Sequence, residues 1–210
     1  ELWRLDAATG TPVLVKDINP GAGHSQIGNI TKCGDHAFFT AYDGQSLGLY
    51  HTDGSESGTV RLTSLANVDS LDMVAAHGTL YFIGPGSTTL FKSDGTPEGT
   101  VALFPTGNAS MNLVGETANG LLFQTGGYIW QTDGTIGAVE RLAPVADVYD
   151  PGITVDGVRY FTSGDAASSQ LWRSDGTVGG SYEIDVPGAA VNFVDVGGTV
   201  YFLIGESSGV

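Results

Sequence analysis

Apolar residues in this chain come in short bursts and alternations, such as Val13-Leu14-Val15 and Leu80-Tyr81-Phe82, broken within a few positions by Gly, Asp, Asn or Ser. Period-two alternation puts one set of side chains on each face of a strand, and bursts this short suit buried strands. Long amphipathic helical patterns are absent, so the pattern predicts an all-β chain of many short strands. In one stretch the predicted strands are 71–76, 79–83, 90–93 and 101–104.

The pattern also repeats. Leu49-Tyr50-His51-Thr52-Asp53-Gly54, Leu90-Phe91-Lys92-Ser93-Asp94-Gly95, Ile129-Trp130-Gln131-Thr132-Asp133-Gly134 and Leu171-Trp172-Arg173-Ser174-Asp175-Gly176 share one frame, which opens the chain as Leu2-Trp3-Arg4-Leu5-Asp6-Ala7. Their aromatic anchors, Trp3, Tyr50, Phe91, Trp130 and Trp172, are 47, 41, 39 and 42 residues apart. A second register follows: turn pairs Gly34-Asp35, His77-Gly78, Asn119-Gly120, Asp156-Gly157 and Gly197-Gly198, each leading into a strand that holds Phe39, Phe82, Phe123, Phe161 or Phe202. Gly, Asn and Asp accept the positive φ of two-residue hairpin turns. Four strands per unit at a period of about 40 residues predict a β-propeller.

Phe39 lies 11 residues before Tyr50 and Phe161 lies 11 before Trp172. Phe202 and Trp3 would show the same spacing of 11 if the chain ends were joined. The expected architecture is therefore a single domain, residues 1–210: a five-bladed propeller of four antiparallel strands per blade, its ring closed by N-terminal strands completing the C-terminal blade. Such closure removes a long unpaired edge. The other expectation is a fragment of a longer tandem array. The chain opens at Glu1 with neither methionine nor a signal-like segment, as a processed or excised piece would.

Composition narrows the function classes. No apolar run approaches the roughly 18 residues needed to span a membrane, so membrane insertion is not expected. A formal charge of -15, with only 8 basic residues, repels phosphate backbones and disfavours nucleic acid and anionic membranes as partners. Cys33 is alone, so no internal disulfide is expected, and a small strand side chain is its simplest role. Asn29-Ile30-Thr31 and Asn108-Ala109-Ser110 fit the glycosylation triplet.

The Glu1-Leu2-Trp3 opening, Asp94-Gly95-Thr96 with the following Gly99-Thr100, and the phrase Val15-Lys16-Asp17-Ile18-Asn19-Pro20-Gly21 together resemble the ELWxxDGT repeat, over essentially the whole chain. That family occurs in large secreted or surface proteins of bacteria. The resemblance implies an extracellular propeller-like module and implies no catalytic activity. The pattern decays in places: Asp6-Ala7-Ala8 replaces Asp-Gly-Thr, and Gly137-Ala138-Val139 stands where Gly-Thr is expected.

Asp6, Asp53, Asp94, Asp133 and Asp175 recur once per repeat before glycine or alanine. An aspartate there braces a turn by accepting a backbone N–H two residues on, so a structural role is expected and no metal site. No cofactor is expected, calcium being the one candidate for so acidic a surface. The repeated aromatics read as inter-blade core. His24, His36, His51 and His77 occupy different repeat positions and form no helical metal pair.

Variable loops on a rigid scaffold are where binding tends to live. A ligand site is expected among His24, Tyr42, Asp43, Tyr149, Asp150, Asp165 and Glu206, on the loop-rich face opposite the Asp-Gly turns. The expected function is a non-catalytic extracellular or cell-surface binding and scaffold module for a glycan or protein, as a monomeric ring or part of a larger chain. One alternative is a glycoside-active enzyme with Asp43, Asp165 and Glu206 at the ring mouth. Another is a purely structural brick.

Overall fold

The computed structural model describes residues 1–64, 71–84, 86, 88–107, 109–165 and 169–205, and the described residues hold twenty strands and no helix. β1 (Leu2–Leu5) and β2 (Pro12–Lys16) form a two-stranded sheet. Four-stranded sheets follow: β3 (Gly28–Cys33), β4 (His36–Tyr42), β5 (Leu47–Thr52) and β6 (Val60–Ser64), then β7 (Met73–Ala76), β8 (Thr79–Ile83), β9 (Thr89–Ser93) and β10 (Val101–Pro105). The third holds β11 (Met111–Thr117), β12 (Gly120–Thr125), β13 (Tyr128–Thr132) and β14 (Val139–Pro144). The fourth holds β15 (Val148–Val155), β16 (Val158–Ser163), β17 (Gln170–Ser174) and β18 (Tyr182–Ile184), after which β19 (Ala189–Val196) and β20 (Thr199–Gly205) pair alone. Within every sheet, neighbours follow chain order. The structure is all-β and repetitive, but four sheets rather than five are complete, and none closes on itself among the described residues.

Short turns set these meanders. His77-Gly78, Asp156-Gly157 and Gly197-Gly198 have positive φ at both positions, as a two-residue hairpin requires. The β11–β12 hairpin departs from expectation, because its turn is Ala118-Asn119 and Gly120 already belongs to β12. Gly120 is needed for proximity instead: a Cβ there would sit 2.1 Å from the Thr132 carbonyl oxygen. The strands β3, β11, β15 and β19, each the first of its sheet, all carry bulges.

The chain divides into two compact units, Glu1–Gly86 with Phe91–Ala102, and Ser87–Leu90 with Leu103–Val210. In the first, the β3–β6 sheet is covered on both faces. Phe39 and Tyr50, partners across β4 and β5, stack at 5.5 Å and pack with Leu2, Val15 and Ile18. The alternate residues Phe38 and Leu49 pack with Leu71, Leu80 and Phe82 on the other face. In the second unit, Val114, Leu122, Ile129 and Leu142 pack against Phe161 and Trp172, which stack at 6.4 Å. Burying each such ring stabilises by about 1.5–3 kcal/mol.

Candidate functional site

The repeated aspartates sit in a recurrent hydrogen-bonded clip. Asp53 Oδ1 accepts from the Ser55 N–H at 2.8 Å and the Ser55 hydroxyl at 2.7 Å, and that hydroxyl accepts the Gly58 N–H at 2.9 Å. The Thr59 hydroxyl donates to the Ser55 carbonyl at 2.6 Å and meets the Thr52 hydroxyl at 2.8 Å, which accepts the Gly54 N–H. The same bonds recur at Asp94-Thr96-Gly99-Thr100 and at Asp175-Thr177-Gly180-Ser181. Here is the physical reason for the second glycine of the motif: a Cβ on Gly58, Gly99 or Gly180 would land about 2 Å from the clipped carboxylate oxygen. The hydroxyl two residues on, followed by the backbone amide, holds the Asp53 and Asp94 carboxyls below the usual carboxylate range. Asp175 is lowered first by the Thr177 hydroxyl, with burial opposing. Asp6 accepts the Ala8 and Thr9 N–H groups and is likewise lowered. In the decayed third clip, Asp133 accepts the Thr135 N–H at 2.7 Å, while Ala138 and Val139 replace the glycine and the hydroxyl residue.

Other motif residues bind within a sheet or from one sheet to the next. Glu1 Oε2 accepts the Ile18 and Asn19 N–H groups, and Lys16 donates to the Thr59 carbonyl at 2.6 Å. Asn119 donates to the Asp175 carbonyl at 2.9 Å. The Asn29 amide donates to the Leu71 carbonyl at 2.5 Å, so the side chain of that glycosylation triplet already holds a structural bond; Asn108 lies outside the described residues.

The loop residues expected to bind ligand fall into two groups, one per unit. In the first unit, Tyr42 donates its N–H to the Ser25 carbonyl at 2.7 Å, tying the β4 end to the loop that carries exposed His24. Asp43 accepts the Gln45 and Ser46 N–H groups and pairs with Arg61 at 2.7 Å, and these backbone amides are the main cause of its lowered pKa. In the second unit, Tyr149 and Asp150 on β15 share one hairpin end with Gly164-Asp165, as the Gly164 N–H to Asp147 carbonyl bond shows. Tyr149 is exposed, and Asp150 accepts the Gly152 N–H at 2.8 Å within the β15 bulge. Arg159 staples that bulge through the Pro151 and Gly152 carbonyls; burial lowers its pKa to about 10, opposed by Asp150 and Glu116. Glu206 lies outside the described residues.

Sequence reasoning passed over two groupings. The His36 and His51 rings meet at 4.7 Å with their planes tilted by 39°, and His51 also makes a T-shaped contact with Phe38 at 5.3 Å. The signal was the hairpin register, which pairs Phe38 with His51 and leaves His36 diagonal on the same face. The second is a cleft of about 250 Å³ beside β17, β18 and the start of β19, lined by Ser169, Gln170, Glu183 and Asp185. Its sequence signal was its place beside the loops that precede β17 and follow β18. Two further clefts lie on the Asp-Gly turn side, one beside Asp35, His36 and Asp53 and one beside Asn119, Asp133 and Glu140.

Among the described residues, no group of three or more His, Cys, Asp or Glu is placed to hold a metal ion, and no helix is long and apolar enough to cross a membrane. The fold and clips define an all-β repeat protein of stacked antiparallel sheets. No protein-family model and no curated protein matches the chain.

Proposed function

We propose that residues 1–210 form one non-catalytic extracellular binding and scaffold module of the ELWxxDGT type: a five-bladed propeller whose fifth blade combines β19–β20 with β1–β2 and whose loop face recognises a ligand. The observation that carries the architecture is a register rule. The second-strand phenylalanine lies opposite the third-strand aromatic in Phe39–Tyr50, Phe123–Trp130 and Phe161–Trp172. Applied to the half-sheets, it sets Phe202 opposite Trp3 and Tyr201 opposite Arg4. The half-sheets also supply complementary positions, the inner pair of a blade and the outer pair. Nine of the fourteen exposed large hydrophobics among the described residues lie on them, and closure would cover part of that surface.

The use of the polar residues supports a non-catalytic role. The repeated aspartates are spent on turns, and Asp43 is held by Arg61 and two amides, which suits bracing more than proton transfer to a substrate. Two experiments test the proposal. In an Arg4→Cys/Tyr201→Cys variant, oxidation should give a disulfide within the monomer; cross-links only between chains, or none, would overturn the closed ring. Turnover of glycoside substrates that is lost with Asp43→Asn/Asp165→Asn would overturn the non-catalytic reading.

A further inference from the structure

The cleft beside β17, β18 and the start of β19 is where the loop face of the second unit is both concave and chemically one-sided. Ser169, Gln170, Glu183 and Asp185 are its polar lining, with Val186 and Pro187 forming an apolar wall. Among the described residues, no lysine or arginine lines it. The nearest cation along β17, Arg173, is committed elsewhere, lying 5.1 Å over the Tyr182 ring and 3.6 Å from Asp175. Neither ion pair among the described residues involves Glu183 or Asp185.

A second observation is independent of those carboxylates. Ser169 is 6% exposed, lines the cleft, and its buried hydroxyl has no hydrogen-bond partner among the described residues. A buried hydroxyl is seldom left unpaired, because it forfeits its bonds to water with nothing in return. Thr162, Ser163 and the Trp172 indole on the adjoining strands have no partner among the described residues either, so four of the six such buried polar groups lie on or beside β16 and β17.

We propose that this cleft is a docking site for a basic segment of a protein partner, taking one lysine or arginine side chain. The inference rests on the binding-module reading. An ammonium or guanidinium brings only donors, which matches two carboxylates, a rotatable hydroxyl and the Gln170 carbonyl. Its aliphatic stem lies along Val186 and Pro187 while the head reaches Glu183 and Asp185. The net charge of -15 draws such a segment in, and its grip weakens with salt.

The test is titration of the whole chain with hexalysine and hexaarginine peptides at low ionic strength. At least one peptide should bind, Glu183→Gln/Asp185→Asn should weaken it about tenfold or more, and Ser169→Ala should weaken it a few-fold. The charge-matched variant Glu56→Gln/Glu98→Gln, on the turn side of the first unit, should bind as the parent does. Equal losses in both double variants would assign the affinity to overall charge and overturn the site. Absence of peptide binding overturns it as well. Binding of a neutral oligosaccharide that is lost with Ser169→Ala, without peptide binding, overturns the cationic partner but keeps the binding module. Circular dichroism melting of each variant separates lost binding from lost folding.

Discussion

The β15–β18 sheet and the β19–β20 hairpin are written in the same repeat, and the second-strand phenylalanine fares differently in each. Phe161 is fully buried among Val114, Leu122 and Trp172, whereas Phe202 is only half-buried and its neighbour Leu203 is 60% exposed. The first unit repeats the contrast: Tyr50 in the complete β3–β6 sheet is 5% exposed, while Trp3, at the same repeat position in β1–β2, is 57% exposed. The hairpins form equally well in both settings, because alternation and turn residues are local. Burial is not local. It requires a sheet on each face and a partner along each edge, and the half-sheets lack part of that surround among the described residues.

The sharpest way to press this comparison is truncation of the phenylalanines. Phe161→Ala should lower the unfolding free energy by about 3–5 kcal/mol. Phe202→Ala should lower it by about 1–2 kcal/mol if the half-sheet stays as exposed as it stands here. Urea unfolding of the two variants decides, and equal losses would mean that the half-sheet is covered in solution.

Next in size is the clip. Gly180→Ala drives a methyl into the Asp175 carboxylate and should cost about 1–3 kcal/mol. Adding Asp175→Ala should recover part of that loss in a double-mutant cycle; strict additivity would refute the steric account. Ala138→Gly, in the decayed repeat, should not repeat the effect in reverse. Val139→Thr, which restores a hydroxyl near Thr132, should stabilise by about 0.5–1.5 kcal/mol.

Acid should act in two windows. Burial, with His36 adding to it, pushes the His51 pKa below its ordinary 6.5, opposed by Asp53 and Asp94. The unfolded chain then takes up that proton first, so the contribution of neutral His51 is present above 6.5 and declines as pH falls from there through the folded value. Asp53, Asp94 and Asp175 are lowered from 3.8, so their contribution is present above 3.8 and is lost as pH falls through the folded values. His51→Gln should remove the upper decline in a pH series of melting temperatures and leave the lower one. Persistence of the upper decline in that variant would assign the step to another group.

The smallest effect is expected at the exposed end. If β1–β2 stays as exposed as it stands here, Trp3→Ser should change stability by no more than about 0.5 kcal/mol, as surface substitutions do, whereas the proposed ring closure expects a larger loss. A loss approaching that of Tyr50→Ala would show that β1–β2 finds a covering partner.

Much of this architecture was legible in the repeat. The strands around Ala76, Phe82 and Ser93 fall within two residues of their predicted places, because turn pairs and apolar bursts specify hairpins without reference to distant chain. The β11–β12 turn was misplaced by one residue, since Gly120 answers to the Thr132 carbonyl across the sheet and not to a turn. The candidate site was less legible. Asp43 and Asp150 looked like ligand contacts by position, yet their oxygens go to backbone amides a few residues away. Ser169, Glu183 and Asp185 carried no motif, and they share a cleft only because β17, β18 and the start of β19 run together.

Period, strand positions, turn chemistry and the clip glycines were therefore written in local sequence, where steric and hydrogen-bonding rules act over a few residues. The clips add one detail that spacing did not disclose: hydroxyls at both ends of the motif meet each other, as Ser174 and Ser181 do at 2.7 Å. Which copy of an aromatic is buried, which carboxylate is consumed and which hydroxyl is left unpaired depended on how sheets stack. Stacking joins residues tens of positions apart, and identical repeat letters take different surroundings when one sheet has two neighbours and another has one.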